Sequence, residues 1–158
     1  LGIIVDTTHL AAAAFDELVS VTKRPLIVSH GAAKGVRIDL DDARIKAIAK
    51  TGGVIGLHFY SSYLGTPPTL SALCDHVAYI AKLAGIEHVG LGADFFPTTG
   101  VWRDFQIVQG TTDISWAIPD MASMPLVTEA MDQRGFSDDD IEKVLGLNYL
   151  RVCREIFR

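Results

Sequence analysis

Seven side chains able to bind a metal, ionise or pass a proton fall at or just behind short apolar runs of this sequence: Asp6 and His9, Ser29 and His30, His58 and Tyr60, and Asp94. His9 and His30 form the sharpest pair. Neutral imidazole is the commonest metal-binding side chain, and two of them on neighbouring strand ends can converge on one ion. The competing reading is a pair of loop histidines satisfied by hydrogen bonds, and the repeated strand-end placement favours the metal. Asp94 closes the run Gly90-Leu91-Gly92-Ala93-Asp94, whose glycines permit close backbone approach. A carboxylate there can shuttle a proton, bind an ammonium group or cap the following loop. Arg37 suits bidentate carboxylate recognition, against the default of a solvated loop arginine. His58 either faces the site or is a satisfied interior histidine. His76, inside a helical pattern, and His88, just before a strand, read as structural. Trp102, Phe105 and Trp116 lie in a long connection and form either a lid or a surface that packs on another part of the protein.

These groups need elements to hold them. Four near-continuous apolar runs, Gly2–Val5, Leu26–Val28, Val54–Leu57 and Val89–Leu91, have the pattern of parallel strands covered on both faces. Helical patterns follow each of the first three: Ala11–Val21, Asp41–Lys50 with Asp39 or Asp41 to cap it, and Leu70–Leu83 behind Thr69 or Ser71. After the fourth run the spacing predicts an irregular stretch, Phe95–Pro119, then a helix over Met124–Arg134. Ser137 opens another, and the last begins near Asn148. Alternating strand and helix specify a parallel α/β sheet. An open doubly wound sheet and a segment of a (β/α)₈ barrel compete. No glycine-rich phosphate loop follows the first strand, and every strand ends in a chemically capable residue, as at the catalytic end of a barrel. The barrel segment is the better reading.

Composition narrows the partners. The 158 residues are 49% hydrophobic and 21% charged with a net charge of −5, which argues against a nucleic-acid or anionic-membrane surface. No apolar run is long enough to span a bilayer. Cys74 and Cys153 have no metal-site spacing and read as buried free thiols. The sequence starts at Leu1 and enters a strand-like run at once, so it reads as cut from something longer. A cytoplasmic location and assembly into a homo-oligomer are the working expectations.

Five segments carry a resemblance. Gly2-Ile3-Ile4-Val5-Asp6-Thr7-Thr8-His9 and Pro25–Ala33 resemble two successive strands of the membrane (renal) dipeptidase family. The segments 51–60, 75–95 and 135–152 are similar to three further stretches of that family, in the same order. The resemblance implies the C-terminal half of a TIM-type (β/α)₈ barrel over residues 1–158, with four parallel strands, outer helices and the N-terminal half absent. It further implies hydrolysis of dipeptides by two zinc ions and a bridging hydroxide in the full-length protein, the segment alone being inactive. His9 and His30 would be ligands to one zinc. Asp94 would be the catalytic acidic residue that also contacts the substrate amine, and Arg37 would bind the substrate carboxylate. His58 and Tyr60 are assigned to the substrate pocket. His58 stands where the family usually has Asn, and Phe96 and Pro97 replace its usual Asp and Gly. Two alternatives remain: a non-catalytic barrel relative that binds a small molecule or partner, and an amidohydrolase acting on another amide or a lactone.

Overall fold

A computed structural model describes residues 2–37, 39–97, 99–108, 110 and 113–157. Four strands form one parallel sheet in sequence order: β1 (Val5–Asp6), β2 (Leu26–Gly31), β3 (Val54–Leu57) and β4 (Val89–Leu91). Two strands differ from expectation. β1 is later than Gly2–Val5, because its ladder to β2 is only Val5 opposite Leu26 and Asp6 opposite Ile27. β2 runs on through Ser29 and His30 to Gly31, so those two residues are part of the sheet and do not follow it.

The outer layer is α1 (Ala12–Val21), α2 (Asp42–Lys50) and α4 (Leu70–Ala84), with a short α3 (Ser61–Leu64) before the last. Asp41 and not Asp39 caps α2, accepting from the Arg44 N–H at 2.9 Å, and Thr69 caps α4 from Ala72 at 3.1 Å. Leu26, Val28, Ile55 and Leu57 point from the sheet to this layer and join Ile45, Ile48, Leu73, Val77 and Ile80 in one buried core. Each such side chain contributes roughly 1.5–3 kcal/mol by leaving water. Period-two alternation then forces Ile27 and Val54 to the opposite face.

That opposite face is covered at one end by the last helix of the chain. Beyond β4 come α5 (Val101–Val108), α6 (Pro125–Gln133), α7 (Asp138–Glu142) and, after a π-helical turn, α8 (Asn148–Ile156). The stretch expected to be irregular therefore contains α5; residues 98, 109, 111 and 112 of it lie outside the described set. α8 crosses the N-terminal ends of the strands. Asn148 Nδ2 donates to the carbonyls of Ile86 and Val89, and Arg151 donates to those of Gly52 and Glu87. Val152 and Ile156 pack there with Val54, Ile4, Ile27 and Tyr149. This leaves the C-terminal strand ends for chemistry. Both cysteines are free thiols, but only Cys74 is buried; Cys153 is half-buried. Among the described residues, no helix is long and apolar enough to cross a membrane.

Candidate metal and substrate site

An irregularity in one strand aims the central histidine. Val28 pairs with Ile55 and Gly31 with Leu57, so β2 spends one more residue than β3 over the same span. Such a bulge turns side chains off the regular alternation. Gly92 then lets the chain beyond β4 pass close by: a Cβ there would run into the Ser29 carbonyl and approach the His30 Cα to 3.0 Å. His9 and Asp94 adopt left-handed backbone, with φ of 61° and 50°, which turns each away from its strand direction.

The result is a convergence. His9 Nε2 lies 3.1 Å from His30 Nε2, and Asp94 Oδ2 lies 3.7 Å from that same His30 nitrogen and 3.3 Å from His58 Nε2. Two nitrogens bound tetrahedrally to one zinc at about 2.0–2.1 Å stand about 3.3 Å apart, so the His9–His30 spacing fits a shared ion. The site lies in a cleft of ≈ 340 Å³ whose wall includes His9, Asp39, His58, Tyr60, Asp94 and Phe96.

Protons behind His30 also suit metal binding. Thr8 Oγ1 donates to Asp6 Oδ1 at 2.8 Å, which commits the hydroxyl's single proton. Ser29 Oγ lies 3.1 Å from Thr8 Oγ1 and also hydrogen-bonds the Asp6 carboxylate, so its proton goes to one of these two acceptors. The proton of Ser29 is then spent, so at 3.0 Å it can only accept from His30 Nδ1. Neutral His30 keeps its proton on Nδ1 and its lone pair on Nε2, toward His9. Burial pushes the Asp6 carboxyl up, but hydrogen bonds from Ser29 and Thr8 outweigh it and hold Asp6 below the ordinary value, as an ionised anchor for the chain. Such outer partners orient metal-binding imidazoles.

The other expected site residues separate. His58 is buried, and burial drives its imidazole down to about 4 against the pull of Asp94. Tyr60 is buried beside Phe96 and Trp116, its hydroxyl without a hydrogen-bond partner among the described residues. Arg37 lies outside the ring of cleft residues. It is exposed, with Nε donating to the Ser62 carbonyl at 3.4 Å, and Ser62 itself lines the cleft. Trp116 joins the aromatic wall, whereas Trp102 and Phe105 are exposed on α5 and pack on each other. His76 Nδ1 accepts from the Ala33 N–H at 3.1 Å, and His88 Nδ1 pairs with the Gly53 carbonyl at 2.7 Å.

Asp39 is the site residue that sequence reading missed. The sequence offers it only as a helix cap, but a φ of 93° turns it back so that Oδ2 accepts from the Ala32 N–H at 3.1 Å. Desolvation raises its carboxyl despite that bond and the nearby His9 and His30. The only signal was a second Asp beside the one that caps the helix.

Comparison with known proteins adds independent support for the fold. A sequence profile described as membrane dipeptidase (peptidase family M19) matches residues 1–157. An uncharacterized dipeptidase of Schizosaccharomyces pombe is 32% identical over 98% of this chain and 36% of its own length. An amidohydrolase from Pseudomonas aeruginosa superposes with a TM-score of 0.87 at 24% identity, over 99% of this chain and 53% of its own. A metallo peptidase from Rhodobacter sphaeroides, liganded with a phosphinate mimic of the dipeptide L-Ala-D-Ala, superposes with a TM-score of 0.80 at 24% identity, over 98% of this chain and 43% of its own. This chain thus spans about a third of the curated relative and about half of the solved chains.

Proposed function

Since this chain belongs to the membrane dipeptidase family, peptidase family M19, we propose that it is the C-terminal half-barrel of a metal-dependent dipeptidase that uses two zinc ions. The observation that carries this reading is the His9–His30 pair, with Nε2 atoms 3.1 Å apart and Asp94 facing the same nitrogen. His9 and His30 would hold one zinc. Bound metal supplies Lewis acidity and a water of lowered pKa. The remaining work falls to side chains of this chain. Asp94, an acceptor-only carboxylate when ionised, pairs with the substrate ammonium and takes up a proton. Arg37 reads the substrate carboxylate, which requires its exposed guanidinium to turn from the Ser62 carbonyl toward the cleft. Reading both termini at once selects dipeptides over longer peptides. Tyr60 and Phe96 supply an apolar wall for a side chain.

The test is zinc content and dipeptide hydrolysis in the full-length protein. His30→Ala should lose at least one zinc and abolish turnover, because a site of few ligands does not survive losing one. A dipeptide amidated at its C-terminus should be a poor substrate. A zinc-loaded full-length protein that cleaves no dipeptide, or a His30→Ala variant with unchanged zinc and rate, overturns the proposal.

A further inference from the structure

We propose that His58 is a positioning residue, holding the Asp94 carboxylate through its Nε2–H, and that it takes no metal. The inference rests on the dipeptidase reading for its consequence, but not for its geometry. By proximity alone, His30, His58 and Asp94 would pass for a cation triad, since each offers one ligand atom within 4.8 Å of the others. The protons divide them. The Tyr60 backbone N–H donates to His58 Nδ1 at 3.1 Å, so that nitrogen carries the lone pair. A neutral imidazole has one ring proton, which must then sit on Nε2. That nitrogen faces Asp94 Oδ2 at 3.3 Å. A protonated nitrogen has no lone pair to give an ion, but it is a good donor to a carboxylate.

The ring has no freedom to exchange these roles. His58 is only 2% exposed, Tyr63 stacks on it at 4.2 Å and 13°, and the edge of His30 meets it at 5.2 Å. His30 is the mirror case, protonated on Nδ1 with Nε2 bare. One site therefore contains two histidines of opposite tautomer, one facing the metal position and one holding Asp94. Asp94 needs such a hold, because it lies beyond the last residue of β4 in left-handed backbone.

The histidine tautomers can be read by ¹⁵N NMR of the full chain, labelled on the imidazole nitrogens, metal-free and after zinc addition. His58 should show a protonated Nε2 and a bare Nδ1 in both states, its signals assigned by their loss in His58→Asn. A protonated Nδ1, or an Nε2 signal that takes on a zinc-bound shift, overturns the inference whether or not any dipeptide is cleaved. Kinetics supply the second arm. His58→Asn retains an oxygen for the Tyr60 N–H but is too short to reach Asp94, whereas His58→Gln places an amide N–H near the lost Nε2. His58→Asn should lower kcat/KM for dipeptides about tenfold, the size of one hydrogen bond to a charged group, with zinc content unchanged. His58→Gln should recover most of that loss. Equal rates in wild type and His58→Asn, or a loss of zinc in step with activity, would show that His58 does not act through Asp94. Absence of dipeptide cleavage by the wild type would instead remove the functional reading and leave the tautomer result standing.

Discussion

Asp6 and His30 never touch, yet the carboxylate of one fixes where the other carries its proton. The link is two hydroxyls, Thr8 Oγ1 at 2.8 Å from Asp6 and Ser29 Oγ at 3.0 Å from His30 Nδ1, themselves 3.1 Å apart. Thr8→Val should cut this chain while filling nearly the same volume. Zinc affinity should fall 10–100-fold, the usual effect of losing an outer partner of a metal-binding histidine. Thr8→Ser, which keeps the hydroxyl, should bind zinc like wild type. Competition against a chelator measures both; equal affinities in all three proteins would remove Asp6 from the site.

Gly92 makes a different kind of demand. The Ser29 carbonyl and the His30 Cα occupy the space of a side chain there, and both are backbone atoms that cannot swing aside. Gly92→Ala should destabilise the full chain by about 1–3 kcal/mol through overpacking. Because the displaced segment leads directly into Asp94, dipeptide turnover should fall further than zinc content. Calorimetry and metal analysis of the same preparation test this, and an unchanged Tm would contradict the close approach.

These two cases mark what could be read from the sequence. The four strands, their parallel order and the meeting of His9, His30 and Asp94 were legible, because strand-end position is written in the apolar pattern itself. The bulge that re-aims His30 was not, since Ser29 and His30 look the same whether they extend a strand or follow it. Asp39 was hidden for a similar reason. A left-handed φ at a non-glycine residue leaves no mark in composition, so a pocket carboxylate passed for a cap. The pairing of His58 with Asp94 depends on a backbone N–H from Tyr60, and backbone donors have no sequence signature. Helix α5 does carry apolar residues at helical spacing, Val101, Trp102, Phe105 and Val108, but they sit inside a connection rich in Pro, Thr and Gly.

His76 predicts a pH dependence away from the site. It is buried, and burial lowers its imidazole below the ordinary 6.5 despite the adjacent Asp75. In the folded chain it is therefore neutral where an unfolded histidine would already be charged. The unfolded state binds the extra proton, so stability is undiminished above about pH 6.5 and falls as pH drops from there toward the folded-state value. His76→Asn offers an oxygen to the Ala33 N–H and has no proton to take up. The loss of Tm between about pH 7.5 and pH 5.5 should be smaller in that variant. His58 adds a slope of the same sign, so the profile should flatten without becoming level. Parallel profiles would mean that His76 is protonated in the folded state.

The final prediction concerns these 158 residues produced alone. β1 and β4 each have one neighbour in the sheet, and a closed barrel would leave neither edge free. At the β1 edge, Ile3 is 67% and Val5 40% exposed. On α5, Val101, Trp102, Phe105, Ile107 and Val108 are all exposed. An unpaired parallel strand presents its backbone donors and acceptors to any chain that can extend the sheet, and apolar neighbours strengthen that contact. The segment alone should therefore self-associate with rising concentration and enhance the fluorescence of a hydrophobic dye. A full-length protein that sets the opposing half of a barrel against these edges should bind much less dye at the same molar concentration. Introducing a charge at the edge, Val5→Lys, should reduce association of the segment, because a charged side chain there blocks strand addition. Sedimentation across a concentration series decides it. A segment that stays monomeric and dye-silent would mean that its sheet closes in some other way than by pairing with the rest of a barrel.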